Sequence, residues 1–158
     1  MKALVAYMSK TGNTKKVAEA VYEALNCEKE IMPIDQVVDI ICPMAYPSHY
    51  TWSERYIADP YHTVYITSKA GKDRLKHAEI VTYIQAFKMK IGPSKLSFEK
   101  YIEEQIRATH DAGVRGYLLW NARQEYTASF NVAKNFYRDP SRRITKTDPA
   151  GKKDGNIQ

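Results

Sequence analysis

Short apolar runs alternate with segments of helical period along most of this chain, and this alternation constrains its fold more than any other feature. The apolar runs lack a strict two-residue alternation, which is typical of short strands covered on both faces. Strands are predicted at residues 3–8, 30–34, 37–42, 79–87 and 116–120. Helices are predicted at residues 14–25, 61–75, 97–112 and 128–137. This order predicts an α/β fold with parallel strands and helices on both faces of the sheet.

The size and composition of the chain favour one globular domain. It has 158 residues, of which 44% are hydrophobic and 27% charged, and this balance excludes general disorder. No apolar run approaches the roughly 18 residues of a membrane span, and the N-terminus lacks the apolar stretch of a signal peptide. Cys27 and Cys42 show no metal-ligand spacing and are interpreted as thiols in a reducing compartment. We therefore expect a cytoplasmic protein without a membrane partner.

The net charge of +6 is unevenly distributed along the chain. Residues 1–60 carry 6 basic and 8 acidic groups, whereas residues 61–158 carry 18 and 10. Such asymmetry can mark a nucleic-acid surface, but a solvated basic face with a basic tail is the simpler interpretation. No base-stacking motif, zinc knuckle or helix-turn-helix spacing accompanies the charge, so we expect no nucleic-acid partner.

A loop of turn-forming and hydroxyl residues separates the first predicted strand from the first predicted helix. At such a junction, free backbone N–H groups, short hydroxyl side chains and the helix dipole can converge on one anion. Gly12 lets the backbone approach a ligand closely, and Asn13 tolerates unusual turn dihedral angles. The candidate phosphate-binding residues are Ser9, Lys10, Thr11, Gly12, Asn13 and Thr14. An ordinary helix cap is the alternative interpretation.

The N-terminal segment, residues 1–37, resembles the flavodoxin family. Its YMSKTGNT segment (residues 7–14) and the helix after it match that family's flavin-mononucleotide (FMN) phosphate loop, S/T-x-T-G-x-T. The resemblance implies backbone N–H donors from residues 10–14 and an additional positive charge from Lys10. The side-chain donors that it implies are Ser9, Thr11, Asn13 and Thr14. Flavodoxins are generally acidic electron carriers, whereas this chain is basic, so the resemblance does not extend to how a redox partner would dock.

The remainder of the chain resembles a different family. The relevant motifs are PMAYPSHY (43–50), YIQAF (83–87), QIRA (105–108), DAG (111–113) and GYLLWNA (116–122). They are similar to the last strands and helices of a bacterial glycosyl-hydrolase family with a (β/α)₈ barrel. This resemblance covers roughly residues 38–137 and meets the flavodoxin-like segment near residues 34–38. A natural domain of this length rarely joins two such pieces, so we predict a chimera, either engineered de novo or recombined. A divergent natural flavodoxin-like protein is the alternative.

Both resemblances imply layered βα units with functional loops at the carboxyl ends of the strands. Five strands cannot close an eight-stranded barrel, but they can form the open parallel sheet of flavodoxin with strand order 2-1-3-4-5. We therefore expect one flavodoxin-like domain over residues 1–140. Its residues 1–37 would derive from the flavodoxin-like parent and residues 38–140 from the barrel parent. A flexible tail is expected at residues 141–158.

In the 2-1-3-4-5 order, the phosphate loop faces the loops after strands three and four at the switch point of the sheet. In flavodoxins those two loops enclose the isoalloxazine ring, usually with aromatic side chains. The residues at matching places in this chain are Tyr46, Tyr50, Trp52 and Phe87. They are the candidate ring-binding residues for FMN, and phosphate or sulfate would occupy the loop in its absence. Aromatic packing or loop filling is the alternative for each of them.

No catalytic or metal-binding residue is assigned from the sequence. Most glycosidases need two carboxylates about 5–10 Å apart, yet the predicted strand ends carry Tyr46, Gln85 and Asn121. Carboxylates further into the loops, which nothing in the sequence pairs, are Glu54, Asp59 and Glu125. The four histidines have no partner at metal-ligand spacing.

Two functional hypotheses from different classes follow. The first is a module that binds FMN or phosphate and has no hydrolase activity, in which bound flavin would permit electron transfer. The second is a fold-recombination scaffold that binds no ligand and has no activity. The oligomeric state is not predicted by either hypothesis.

Overall fold

The structure, a computed structural model, describes residues 1–143, so most of the predicted tail at 141–158 lies outside the described residues. The strands are β1 (Lys2–Tyr7), β2 (Glu28–Pro33), β3 (Ile40–Ile41), β4 (Met44–Ala45), β5 (Glu79–Gln85) and β6 (Gly116–Trp120). The helices are α1 (Asn13–Ala24), α2 (Glu54–Ala58), α3 (Pro60–Lys72), α4 (Phe98–Asp111) and α5 (Thr127–Arg138). The α/β class is confirmed, and α2 is a short helix that the sequence patterns did not predict.

All strand pairs are parallel, and they form two separate sheets. β1 pairs with β2 along its full length. In the second sheet β5 is central: the N–H groups of Glu79 and Tyr83 donate to the carbonyls of Asp39 and Pro43 along one edge. Along its other edge β5 pairs with β6. β3 and β4 are therefore two halves of one edge strand, interrupted at Pro43, which has no N–H to donate.

The predicted five-stranded order 2-1-3-4-5 is wrong. β1 does neighbour β2, and the later strands follow in sequence order, but no pairing among the described residues joins β1 to β3 or β4. The segment predicted as a third strand, residues 37–42, explains this break. Val37 and Val38 donate to the Ile34 carbonyl in a tight turn, so only Ile40–Ile41 is extended. A strand of two residues offers too few hydrogen bonds to hold β1 beside it.

Helices α3, α4 and α5 pack on one face of the four-stranded sheet. Their apolar side chains meet those of β4 and β5 in the core cluster Ala45, Val64, Ile84, Ile102, Ile106, Ala108, Val132 and Phe136. The opposite face, which we call the uncovered sheet face, carries Met44, Tyr83, Leu118 and Trp120. Met44 is 68% exposed there. The prediction of helices on both faces is therefore wrong for this sheet within the described residues, because the helices that follow its strands all pack on the same side.

The N-terminal βαβ unit, formed by β1, α1 and β2, has a much smaller core than the rest of the protein. α1 packs on β1 and β2, but Ala18 is its one buried residue. Val17 is 64% exposed, and Val21 and Leu4 are exposed as well. The apolar positions that predicted a buried helix face are thus largely solvent-accessible in the described structure.

Local sequence explains where two of the core helices begin and end. Asp59 accepts a hydrogen bond at 2.8 Å from a backbone N–H in the first turn of α3, where Pro60 is well tolerated. Ser97 caps α4 at the predicted start of this helix, accepting from the N–H of Lys100 at 3.2 Å. Gly113 follows α4 with a φ of +64°, the left-handed conformation that glycine adopts readily after a helix. These residues set the start of both helices and the end of α4.

Candidate functional site: a cavity at the carboxyl ends of three parallel strands

The carboxyl ends of β4, β5 and β6 surround a cavity of about 840 Å³, which we call the strand-end cavity. The loops that follow these strands line it, together with the first turns of α4 and α5. Parallel βα units place their functional loops at this end of the sheet. Small-molecule sites in proteins typically have volumes of ~300–1,000 Å³. The strand-end cavity is therefore the candidate functional site.

Aromatic side chains form much of the cavity wall. The ring of Tyr46 lies 5.8 Å from that of Phe87 and 5.5 Å from that of His49. Trp120 is 46% exposed and makes an edge contact with Tyr83 at 6.4 Å. Burial, with a smaller contribution from Tyr83, raises the pKa of Tyr46 above its usual value. The Tyr46 hydroxyl therefore stays protonated at neutral pH and can donate as well as accept hydrogen bonds.

Gln85, the last residue of β5, holds two of the cavity loops in place. Its Oε1 accepts from the N–H of Ser48 at 3.1 Å, and its Nε2 donates to the carbonyls of Phe87 and Met89 at 3.0 and 2.9 Å. Gln105 of α4 accepts from the Gln85 N–H at 2.8 Å and donates to its carbonyl at 2.9 Å. Both glutamines are fully buried. Because their amides are occupied by protein groups, they shape the cavity rather than contact a ligand.

Asn121 organises the third cavity loop, between β6 and α5. Its Nδ2 donates to the carbonyls of Ala86 at 2.8 Å and Glu125 at 3.0 Å. Its Oδ1 accepts from the N–H of Arg123 at 2.9 Å. Gln124 adopts a φ of +59°, which lets the chain turn back within this short loop. The buried amide therefore positions the side chains of Arg123 and Glu125 along the cavity.

Among the described residues, two basic and two acidic side chains line the strand-end cavity: Lys88, Arg123, Glu99 and Glu125. Their formal charges sum to zero, so this lining selects for neither an anion nor a cation. Glu99 lies in the first turn of α4 and Glu125 lies in the β6–α5 loop. Neither carboxylate is at a strand end. For Glu125 this agrees with its predicted position further into a loop. A polar, uncharged ligand with an apolar face fits this lining best.

The predicted phosphate loop lies between β1 and α1, within the N-terminal βαβ unit. The Oγ of Ser9 accepts from the N–H of Gly12 at 3.0 Å, so this hydroxyl folds the loop internally. The first bond of α1 runs from the N–H of Lys16 to the Gly12 carbonyl. The N–H groups of residues 13–15 precede it and have no partner within the helix. The loop side chains exposed to solvent are Lys10, Thr11, Asn13 and Thr14.

The four predicted ring-binding residues fall into two clusters. Tyr46 and Phe87 meet in the strand-end cavity, whereas Tyr50 and Trp52 contact each other with ring centres 5.0 Å apart in a second cluster. The phosphate loop belongs to the other sheet, because β1 pairs with β2 and not with β3. The switch point at which a flavodoxin sheet binds FMN is therefore not formed, and the structure does not assemble these residues into one flavin ring site.

The strand-end residues Gln85 and Asn121 are recognisable in the sequence, but the cavity that they frame is not. Lys88, Glu99 and Arg123 carry no local motif, and only the fold brings them together. One sequence feature did point to the cavity. A polar residue directly after a buried parallel strand, as in the Trp-Asn pair that ends β6, indicates the ligand-binding end of the sheet.

Two further properties concern the described residues alone. Within residues 1–143, no three His, Cys, Asp or Glu side chains lie close enough together to hold a metal ion. None of the helices in that part of the chain combines the length and the apolar composition needed to cross a membrane.

Comparison with known proteins identifies a family for most of this chain. The family model described as "Putative glycosyl hydrolase domain" matches residues 16–126, which are 111 of the 158 residues. The matched region includes β4, β5 and β6, whose ends form the strand-end cavity. The match begins within α1, earlier than the junction that the sequence analysis placed near residues 34–38.

A curated relative matches a smaller part of the chain. The flavodoxin-like domain-containing protein BilS of Clostridioides difficile (strain CD3) is 49% identical over 39 residues. These residues are 25% of this chain and 22% of that protein. The chain thus spans about a fifth of the length of the curated relative that it matches.

Proposed function

Because this chain belongs to the glycosyl-hydrolase domain family whose model it matches, we propose that the strand-end cavity binds the pyranose rings of a neutral glycan. The observation that carries this proposal is the aromatic wall of Tyr46, Phe87 and the half-exposed Trp120 at the carboxyl ends of parallel strands. Functional loops of parallel βα folds lie at that end.

The chemistry of a pyranose ring suits this lining. One face of the ring presents axial C–H groups, which pack against an aromatic face, while its rim carries hydroxyl groups that need hydrogen-bond partners. Trp120 is partly exposed, and the polar side chains of His49, Arg123 and Glu125 line the same cavity. The described lining carries equal numbers of positive and negative side chains, which fits an uncharged ligand.

The proposed activity is binding without hydrolysis. A glycosidase places two carboxylates on either side of the scissile bond, about 5–10 Å apart. Here the residues at the strand ends are Tyr46, Gln85 and Asn121, and the latter two amides are engaged in holding the loops. The carboxylates of Glu99 and Glu125 lie on the cavity lining away from the strand ends. These observations support a binding module rather than an enzyme.

The test uses the two tryptophans of the chain, of which Trp120 lines the cavity and Trp52 does not. In the variant Trp52→Phe, the tryptophan emission comes from Trp120 alone. Titration with the hexasaccharide of β-1,4-linked glucose should change this emission, and Arg123→Ala should weaken the binding without changing the folded fraction. An emission that does not respond to the saccharide would contradict the proposal.

An aryl-glycoside assay on the wild-type protein is the control for hydrolysis. No turnover above background is expected. Turnover that disappears in Glu99→Gln or Glu125→Gln would show that the cavity is an active site and would overturn the binding-only assignment.

We propose as a second candidate function that the loop Ser9–Thr14 binds phosphate, and FMN through its phosphate. The identity with a flavodoxin-like protein and the partner-free N–H groups at the start of α1 favour it. Only the phosphate half of a flavin site is proposed, because the aromatic residues expected around the ring lie in two other clusters. If neither the loop nor the cavity binds its ligand, the chain is the ligand-free scaffold considered above.

We also propose that the chain arose by joining a flavodoxin-like piece to a hydrolase-like piece, by engineering or by recombination. Two observations support this origin: the two kinds of match to known proteins, and the two sheets that each pair only within themselves. If the two pieces have separate cores, Val64→Ala should lower the free energy of unfolding much more than Val17→Ala does.

A further inference from the structure

Four rings form a cluster on the loop and helices that follow β4, outside the strand-end cavity. We call Tyr50, Trp52, Tyr56 and His62 the aromatic platform. The rings of Tyr50 and Tyr56 are stacked with centres 5.7 Å apart, and Trp52 lies 5.0 Å from Tyr50 and 6.3 Å from Tyr56. His62 lies 5.7 Å from Tyr56. Each ring therefore contacts at least one other ring of the platform.

The platform is anchored to α3. The hydroxyl groups of Tyr50 and Thr67 are 3.3 Å apart and hydrogen-bond to each other. The hydroxyl of Thr63 donates to the carbonyl of Tyr56 at 2.7 Å. These two bonds attach both stacked tyrosines to one helix of the core. The protein side chains here would therefore lose little additional conformational freedom when a ligand binds.

Trp52 is the exposed member of the platform. It is 73% exposed, whereas Tyr50, Tyr56 and His62 are half-buried beneath and beside it. The tyrosines contact the indole and leave most of its surface open to solvent. A ligand with an apolar face that covers this surface would gain the favourable free energy of burying it.

The charged residues that neighbour the platform in the sequence nearly balance each other. Glu54, Arg55 and Asp59 lie next to it and sum to a formal charge of −1. Burial, and next the charge of Arg55, lowers the pKa of His62, so His62 is neutral at pH 7. A nucleic acid needs excess positive charge to bind its phosphates, and these three residues supply no excess. An uncharged ligand with an apolar face is favoured.

We propose that the aromatic platform is a second saccharide-binding surface, on which a pyranose ring stacks over Trp52 and hydrogen-bonds to the polar groups beside it. The assignment of a saccharide as the ligand rests on the proposed function. The location of the site rests on the ring geometry and the exposure of Trp52. Tyr46 and His49 line the cavity. Tyr50 and Trp52 follow directly on the same loop. A glycan of several units bound in the cavity can therefore extend onto the platform.

The experiment places the single fluorescent reporter on the platform. In Trp120→Phe, the emission comes from Trp52 alone, and titration with the β-1,4-linked glucose hexasaccharide should change it. By calorimetry, Trp52→Ala should bind the same hexasaccharide about tenfold more weakly than the wild type, the loss of one aromatic contact. Its melting temperature should match that of the wild type, because the Trp52 side chain is largely outside the core.

The two single-tryptophan variants separate this inference from the proposed function. If Trp120 responds in Trp52→Phe, but Trp52 is silent in Trp120→Phe and Trp52→Ala binds the hexasaccharide as tightly as the wild type, the platform is refuted and the cavity function stands. If neither tryptophan responds, both are refuted. A Trp52 response to a six-nucleotide RNA but not to the saccharide would overturn the saccharide assignment in favour of a nucleic-acid surface.

Discussion

At the scale of single residues, the loop between β1 and α1 depends on backbone conformation more than on any one side chain. Gly12 adopts a φ of +87°, and a Cβ built at this position would meet no atom within 4 Å. A larger residue there is therefore disfavoured by its own backbone dihedrals and not by a clash. The Ser9 hydroxyl holds the loop through the Gly12 N–H. Thr11, in contrast, is exposed and can be changed without disturbing the loop.

This contrast gives a prediction for the phosphate loop. Thr11→Ala should weaken FMN binding by about one order of magnitude, since a charge-assisted hydrogen bond contributes roughly 1.5–3 kcal/mol. Gly12→Val should weaken it further, because the strained backbone redirects the N–H groups that follow. Thr11→Ser is the matched control and should retain binding. Fluorescence quenching with FMN and with riboflavin measures the effect, and equal affinities for the two ligands would show that the loop is only a helix cap.

At the scale of elements, helices were easier to predict from the sequence than the arrangement of strands. Helical period and capping are local properties, so the helix predicted at residues 97–112 agrees closely with α4, which lies between the cap at Ser97 and the glycine at Gly113. Strand pairing depends on residues far apart in the chain, and nothing in the segment 37–42 shows that a tight turn shortens it. The strand-end cavity was missed for the same reason, because Glu99 and Arg123 become neighbours only through the fold.

The two sheets differ in the size of their cores, so we expect a Val→Ala substitution to have different effects on stability in each. Val64 of α3 is fully buried in the core cluster, whereas Val17 of α1 is exposed. Val64→Ala should lower the free energy of unfolding by roughly 2 kcal/mol, the loss of about two buried carbon groups. Val17→Ala should change it by less than about 0.5 kcal/mol. Urea unfolding of both variants measures the difference, and an equal loss for Val17→Ala would show that the N-terminal βαβ unit shares the main core.

At the scale of the whole molecule, the helical side of the protein contains one buried phenol, Tyr101, and two partly buried ones, Tyr61 and Tyr117. Burial raises the pKa of Tyr61, and the carboxylate of Asp111, which accepts a hydrogen bond from its hydroxyl at 2.8 Å, adds to the shift. Burial also raises the pKa of Tyr101, and that of Tyr117 with a contribution from the nearby Tyr137. The folded protein therefore keeps these groups neutral at pH values where the unfolded chain would ionise them.

Linkage converts these shifts into a pH dependence of stability. An unfolded tyrosine ionises near pH ~10, so the stability from the raised pKa values is fully present below that pH and is lost as the pH rises above it. We expect the urea midpoint to be constant between pH 7 and 9 and to fall steeply above pH 10. Tyr61→Phe should lower the midpoint at pH 7, through the lost hydrogen bond, and should make the alkaline decline less steep. A decline in Tyr61→Phe as steep as in the wild type would rule out ionisation of Tyr61 as a contributor.

The uncovered sheet face also bears on how such a fold can change in evolution. Because α3, α4 and α5 pack on one side of the second sheet, the core cluster of the described residues lies on that side. Among the described residues, β6 pairs with β5 alone, so its outer edge has free backbone groups. A duplicated βα unit could add to that edge by matching its strand register, with its helix extending the existing helical layer. Growth by one unit at a time would then require no redesign of the interior that is already folded.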